Sequence, residues 1–91
     1  MPNPTLHVRI ISPQKLLLDT EAFSVSSKNL YGLFDILPQH ANFITLIENS
    51  PIEVRLPNQK PVIFKFTMAI ILVTDNKVNI YTYIQPQSDK K

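Results

Sequence analysis

The sequence predicts an all-β fold built from many short antiparallel strands. In segments such as "TLHVRII" and "PIEVRLP", apolar and polar residues alternate with a period of two, and the apolar ones are mostly β-branched or aliphatic. Eight prolines against one glycine divide the chain into segments too short for long helices. No stretch shows a convincing period of 3.6 residues. Short strands with regular turn signals are typical of a sandwich or a barrel.

The alternation also assigns faces to the strands. In the first strand the odd positions His7 and Arg9 are polar and face outward, and the same pattern recurs in three later strands. The links "LPNQKP" and "VTDNKV" are short and polar, as in hairpins. We predict strands at 5–11, 15–18, 21–27, 30–36, 43–47, 51–56, 61–66, 68–73 and 77–83. The inward-facing residues predicted from this pattern are Leu6, Val8, Ile10, Ile52, Val54, Leu56, Val62, Phe64, Phe66, Val78 and Ile80.

Two segments are apolar at both parities. These are "NLYGLFDIL", residues 29–37, and "MAIILV", residues 68–73. Either both faces of these strands are buried at the centre of the fold, or one face is an exposed patch for a partner.

Bulk composition limits the function. A chain of 91 residues forms one domain with a thin core, which leaves little room for a deep active site. The net charge is +2, with two arginines and no dense stripe of basic residues, which argues against nucleic-acid binding. There is no cysteine. The longest apolar run is far shorter than the roughly 20 residues of a membrane span, so we expect no direct membrane insertion.

Candidate chemical groups are few. His7 lies on the polar side of a strand and is expected to be a solvated surface residue. His40 follows Pro38 in a turn, and no second histidine or cysteine is near enough in sequence to suggest a metal site. Asp35 faces solvent or pairs with Arg9 or Lys28, and the sequence does not choose among these. We therefore expect no catalytic residue, no cofactor site and no metal site.

Three stretches together resemble a known family. "LHVRIISPQKLLLDTEAFSVS", then "GLFDILPQHANFITLI", then "DNKVNIY" are similar to the N-terminal β-sandwich of the epsilon subunit of F-type ATP synthases. The resemblance covers about residues 5–84, and its most specific part is the I-L-P-x-H-A core. It implies a small antiparallel β-sandwich of about 8–10 short strands. It places the sandwich at 1–84 and leaves 85–91 as a polar tail, which we expect to be disordered.

The resemblance also implies a role. Epsilon subunits are non-catalytic parts of the central stalk that clamp the gamma subunit to the c ring for rotary coupling. They lie as peripheral subunits on the cytoplasmic face of the inner membrane or the equivalent organelle face. The family's C-terminal helical hairpin has no counterpart in these 91 residues, so we expect no inhibition through it. The partner-binding residues implied by the resemblance are Tyr31, Gly32, Leu33, Pro38, Gln39, His40 and Asn42.

Some positions depart from the family pattern. Asp35 replaces the family's second glycine, Asn42 replaces a proline, and Leu72 stands where glutamate is usual. Leu33 stands where the family often has an acidic residue that meets polar loops of the c ring, and it implies a more apolar contact. The alternative interpretation is a small β-barrel that binds single-stranded nucleic acid by stacking bases on Tyr31, Tyr81 and Tyr83.

Overall fold

The computed structural model describes residues 4–82, and within them the chain forms a two-layer β-sandwich of nine strands. This confirms the predicted fold class. The strands are β1 (Leu6–Ile11), β2 (Leu16–Ala22), β3 (Ser24–Asn29), β4 (Gly32–Ile36), β5 (Phe43–Glu48), β6 (Pro51–Arg55), β7 (Val62–Lys65), β8 (Met68–Thr74) and β9 (Lys77–Thr82). The predicted polar tail at 85–91 lies outside the described residues.

The two layers are sheets of five and four strands. The five-stranded sheet has the order β2-β1-β9-β8-β5, and the four-stranded sheet has the order β4-β3-β6-β7. All pairings are antiparallel except that of β1 with β9, which is parallel. The antiparallel sandwich therefore contains one parallel pair. The first and last strands of the sandwich lie side by side here, and their pairing does not depend on any hairpin.

The predicted strands at 15–18 and 21–27 have different bounds in the structure. One strand runs from Leu16 to Ala22, and the chain then passes at Phe23 from the five-stranded to the four-stranded sheet. The amide N–H of Phe23 donates to the carbonyl oxygen of Arg55, 2.7 Å away, at the start of the new pairing. The predicted strand at 30–36 begins at Gly32, because Leu30 and Tyr31 form the turn that precedes it.

The core lies between the sheets and is almost wholly aliphatic. Most residues predicted to face inward are buried, whereas Val62, Phe64 and Phe66 are only partly buried against the core. The fully buried side chains of largest volume are Leu6, Ile10, Ile36, Ile47, Ile52, Ile71 and Ile80, followed by five valines. Burying such side chains stabilises the fold by roughly 1.5–3 kcal/mol each. One continuous aliphatic core therefore holds the two sheets together.

Candidate interaction surface

Pro38 begins a tight turn between β4 and β5. The N–H of His40 donates to the carbonyl oxygen of Leu37 at 3.0 Å, which closes a four-residue turn. Pro38 occupies its second position, and Gln39 at the third has a φ of 67°. Proline followed by a left-handed residue is the pattern of a type II turn. We call residues 37–40 the Pro38 turn.

Asn76 anchors the Pro38 turn to the five-stranded sheet. The N–H of Gln39 donates to Oδ1 of Asn76 at 2.5 Å. Asn76 lies in the β8–β9 hairpin, where both it and Asp75 have positive φ values, as a type I′ turn requires. The carbonyl of Asn76 also accepts from the N–H of His7 at 2.9 Å. The turn that connects β4 to β5 is thus hydrogen-bonded to the β8–β9 turn of the five-stranded sheet.

His40 is half-buried. Its Nδ1 lies 2.7 Å from the carbonyl oxygen of Ala41, so this nitrogen carries the proton and donates. The ring meets Phe43 edge-on at 5.5 Å between centroids, and Phe43 meets Phe34 in the same way at 5.5 Å. Gln39 and Asn42 on either side are exposed. His40 therefore supports the turn with one side of its ring and presents the other to solvent.

The turn between β3 and β4 forms a second exposed feature, which we call the β3–β4 tip. Leu30 is 90% exposed, Tyr31 97% and Leu33, just beyond the turn, 86%. Oδ1 of Asn29 accepts from the N–H of Tyr31 at 2.8 Å, and Gly32 follows with a φ of 122°, which side chains rarely adopt. The backbone thus holds three large apolar side chains in water.

The predicted partner-binding residues fall into two groups rather than one. Tyr31, Gly32 and Leu33 lie at the beginning of β4, and the Pro38 turn lies beyond its end, roughly 15 Å away for a strand of this length. Strand β5 connects them. It begins just after the Pro38 turn, and its Leu46 lies beside Leu30 of the tip in one shallow depression.

One apolar surface feature was not predicted as a unit. On the outer face of the five-stranded sheet, the register places one apolar residue from each strand side by side. They are Leu46, Ile70, Tyr81, Ile11 and Leu16, in the order β5-β8-β9-β1-β2. We call this set the apolar row. Four of the five are between 42% and 45% exposed. The row spans about 19 Å across five strands at about 4.8 Å each.

More apolar side chains widen the row at the β5 edge. Ile44 is 66% exposed and lies opposite Leu72, and Met68 is also exposed. The segment "MAIILV" therefore alternates between core and surface: Ala69, Ile71 and Val73 are buried, and their neighbours face outward. Of the two interpretations of the doubly apolar segments, the structure favours the exposed patch.

Next to the apolar row, the part of the same outer face that carries His7, Asp19 and Glu21 on β1 and β2 is polar. Residue His7 is placed between Asp19 and Glu21, with 2.6 Å from Nε2 to Asp19 Oδ1 and 2.6 Å from Nδ1 to Glu21 Oε2. The hydrogen bond to Glu21 raises the pKa of His7, and hydrogen bonds from Thr5 and His7 lower the pKa of Glu21. His7 lies on the outer face with 43% of its side chain exposed, as expected for a surface residue, and in addition both of its ring nitrogens have carboxylate partners.

The remaining candidate groups form no reactive arrangement. Asp35 accepts a hydrogen bond from Ser26 Oγ at 2.5 Å on the outer face of the four-stranded sheet. Within residues 4–82, no three His, Cys, Asp or Glu side chains are placed to hold a metal ion. In the same part of the chain there is no helix long and apolar enough to cross a membrane.

The sequence could have pointed to some of the residues it missed. Asp75 and Asn76 stand in a short polar link, and Asn is a residue that tolerates positive φ, so the hairpin turn was visible but its bond to Gln39 was not. The apolar row depends on which strands are neighbours and in what register. A sequence pattern gives the face of a residue, but not the identity of its neighbour on the next strand.

Comparison with known proteins points in one direction. Residues 5–83 match the family model described as the β-sandwich domain of the ATP synthase delta/epsilon chain. The ATP synthase epsilon chains of Nitratiruptor sp. and Chlorobaculum tepidum are each 29% identical over 73 residues, which is 80% of this chain. The match spans 57% of the Nitratiruptor chain and 83% of the Chlorobaculum chain.

Solved structures share the fold. A chain in the cryo-EM structure of the central stalk and c-ring of the Tetrahymena thermophila mitochondrial ATP synthase matches with a TM-score of 0.74 and 20% identity. The match covers 87% of this chain and 63% of that one. A chain in the Euglena gracilis mitochondrial ATP synthase structure, which includes the c-ring, matches with a TM-score of 0.80 and 15% identity. That match covers 88% of this chain and 51% of that one.

Proposed function

Since the chain belongs to the family of ATP synthase delta/epsilon-chain β-sandwich domains, we propose that it acts as the epsilon subunit of a rotary ATP synthase. In this role it clamps the gamma subunit to the c ring, so that rotation of the ring turns the shaft. It is a non-catalytic, peripheral component on the cytoplasmic face of the inner membrane or the equivalent organelle face. The sandwich at 1–84 is the part that makes these contacts.

The observation that carries the proposal is the exposed apolar surface. The apolar row crosses all five strands of one sheet, and Ile44 and Met68 widen it. Large exposed apolar patches with polar borders mark protein interfaces. Here the border is polar where His7 and its carboxylates lie, on the same strands β1 and β2 that carry Ile11 and Leu16 of the row. A stable interface of this kind buries upward of about 1,200 Å² in total.

We assign the gamma subunit to the apolar row and the Pro38 turn. The turn leads directly into β5, whose Ile44 and Leu46 form the edge of the apolar face, so one partner can cover both. Gln39 and Asn42 are exposed and offer polar contacts at the rim. Between them in sequence, His40 packs its ring against Phe43 and so supports the turn. Hydrogen-bonding side chains around an apolar centre are the usual anatomy of a protein interface.

We assign the c ring to the β3–β4 tip. Leu30, Tyr31 and Leu33 protrude there on a backbone fixed by Asn29 and Gly32. The tip lies about the length of β4 from the Pro38 turn. The two assigned surfaces share no residue, and they adjoin where Leu46 lies beside Leu30. An exposed tyrosine is a common anchor in interfaces, since its ring is apolar and its hydroxyl can remain hydrogen-bonded.

The proposed role is mechanical. Torque transfer requires a body that does not deform between its two contacts, and the aliphatic core between two hydrogen-bonded sheets meets that requirement. The hydrogen bond from Gln39 to Asn76 and the one from Asn29 Nδ2 to Thr45 Oγ1, at 3.0 Å, fasten both contact regions to the sandwich. The second of these bonds joins β3 of one sheet to β5 of the other.

Co-purification tests the proposal. The tagged chain is expressed together with the gamma subunit of its own complex and captured in about 200 mM salt, where electrostatic binding to nucleic acid is already weakened. We expect a stoichiometric pair, and a variant with Ile70→Ser and Tyr81→Ser should lose gamma while remaining folded. Equal or stronger capture of single-stranded DNA at the same salt, without gamma, would favour the nucleic-acid alternative instead.

A further inference from the structure

Residue His7 makes two contacts that only its charged form can satisfy. Its Nε2 and Nδ1 lie 2.6 Å from carboxylate oxygens of Asp19 and Glu21, respectively. A neutral imidazole has one N–H and one acceptor nitrogen, and a carboxylate oxygen is an acceptor too. When the ring loses a proton, one of the two contacts therefore changes from a hydrogen bond to a repulsion between acceptors.

The groups around His7 come from three strands. From β2, Asp19 and Glu21 face it; from β1, the Arg9 Nε lies 3.9 Å from Asp19 Oδ2. From β9, Lys77 is the register partner of His7 and lines the same shallow depression. Asp75 lies two residues before Lys77 in the hairpin turn.

Two carboxylates therefore touch the ring directly, and the nearby cations do not. Thr5 adds a hydrogen bond to Glu21 Oε1 at 2.5 Å, which holds that carboxylate in place and ionised. The hydrogen bond to Glu21, with a further contribution from Asp19, raises the pKa of His7 above its ordinary value of 6.5.

These contacts connect an edge strand to its neighbour. Within residues 4–82, strand β2 is at the end of the five-stranded sheet and pairs with β1 alone. The pairing is regular from Leu6 to Ile10 and is interrupted by a shift before Ile11. Because edge strands lack a second ladder of hydrogen bonds, side-chain contacts to the neighbouring strand have a larger share in holding them.

We propose that His7, Asp19 and Glu21 form a pH-sensitive clasp that holds β2 on β1 while the imidazole is protonated and loosens this edge when the proton leaves. The clasp does not depend on which partner the chain binds. It has a structural consequence for the outer face, because Leu16 on β2 is the end of the apolar row. Loosening β2 makes this end of the row mobile.

The pH range follows from the direction of the two shifts. The folded-state pKa of His7 is raised above 6.5, so its contribution to stability is complete below pH 6.5 and is lost as pH rises through the folded value. The pKa of Glu21 is lowered from 4.5, so its contribution is complete above pH 4.5 and is lost as pH falls through the folded value. The clasp is therefore strongest between pH 4.5 and 6.5 and opens on the alkaline side.

Nuclear magnetic resonance of the full 91-residue chain tests the clasp. The chain has two histidines, so the ring signals of His7 are assigned by comparison with the His7→Gln variant. We expect the pKa of His7 to lie above its ordinary value of 6.5, with both of its ring nitrogens protonated below the midpoint. A midpoint of His7 at or below 6.5 would overturn the proposal.

Amide hydrogen exchange measures the loosening itself. We compare β2 amides with those of the interior strand β8 at about pH 5.5 and about pH 8.5, since the ratio removes the intrinsic pH dependence of exchange. In the wild type the β2 amides should lose about two- to fivefold in relative protection at the higher pH, the size expected for exposed ion pairs. His7→Gln should abolish this pH dependence, whereas His40→Gln should leave it intact.

A second variant covers the case in which His7→Gln disturbs the fold. Asp19→Asn with Glu21→Gln keeps the shapes of both partners and removes their charge. It should bring the His7 titration back toward its ordinary range and abolish the pH dependence of β2 exchange. A wild-type protection ratio that does not change with pH, or a pH dependence that persists in both variants, would refute the clasp.

Discussion

Ile70 and Ile71 are neighbours on β8 that point in opposite directions, which makes them a matched pair for separating folding from binding. Ile71 is fully buried, whereas Ile70 is 42% exposed on the apolar row. The same substitution, isoleucine to alanine, removes the same atoms at both positions. We expect Ile71→Ala to destabilise the chain and Ile70→Ala to weaken gamma binding.

The magnitudes follow from burial. Ile71→Ala should lower the free energy of unfolding by about 2–5 kcal/mol, because it leaves a cavity between the sheets. Ile70 is little more than half buried, so Ile70→Ala should lower it by about 1 kcal/mol. For a domain of this size each 1 kcal/mol corresponds to roughly 4–8 °C in Tm, so thermal unfolding resolves the two variants clearly.

Binding should respond in the reverse order. Ile70 contributes to the centre of the proposed interface, and truncating a central residue typically costs about 1–2 kcal/mol, or roughly 5- to 30-fold in Kd. Ile71→Ala should leave the Kd of the folded fraction unchanged. Calorimetric titration with gamma at a temperature where both variants are folded gives these values. The reasoning is refuted if Ile70→Ala binds gamma like the wild type, or if both variants lose equal stability.

Three further substitutions test particular contacts. Leu33→Asp should leave Tm nearly unchanged, because Leu33 is 86% exposed. It should nevertheless reduce reconstitution with the c ring about tenfold. A variant that unfolds would mean that Leu33 belongs to the core. Asn76→Gly keeps the positive φ of the hairpin but removes the acceptor for the Gln39 N–H. Urea unfolding should show a loss of about 0.5–1.5 kcal/mol in the free energy of unfolding. The Gln39 amide should exchange faster, and unchanged exchange there would contradict the bond. His40→Ala should cost about 1 kcal/mol of stability, because the contact of the ring with Phe43 is lost. It should also weaken gamma binding by about 1–2 kcal/mol. A loss of stability without a loss of binding would make His40 only an internal support.

Much of the fold could be predicted from the sequence, because buried and exposed residues alternate with a period of two along a strand. The alternation in "TLHVRII" predicted that Leu6 and Val8 are buried and that Arg9 is not, and the structure confirms this. The Pro38 turn was equally visible, since proline fixes φ and restricts the residue before it. Such features depend on neighbours in sequence, which a pattern records directly.

Contacts between strands that are distant in sequence could not be predicted from the sequence. The parallel pairing of β1 with β9 brings Ile11 beside Tyr81, and no local pattern connects these two residues. For the same reason His7 looked like an ordinary surface residue, because Asp19 and Glu21 face it only once β2 folds back on β1 in this register. The family resemblance identified the turn residues, but the apolar row follows only from the sheet.

Isoleucine methyl resonances offer the most direct measurement of the proposed docking. The chain carries Ile44 and Ile70 on the outer face of the five-stranded sheet and Ile63, 64% exposed, on that of the four-stranded sheet. On titration with gamma, we predict that the methyl signals of Ile44 and Ile70 shift or broaden while that of Ile63 stays in place. Perturbation of Ile63 without Ile44 and Ile70, or no perturbation at a gamma concentration that saturates co-purification, would contradict docking on the apolar row.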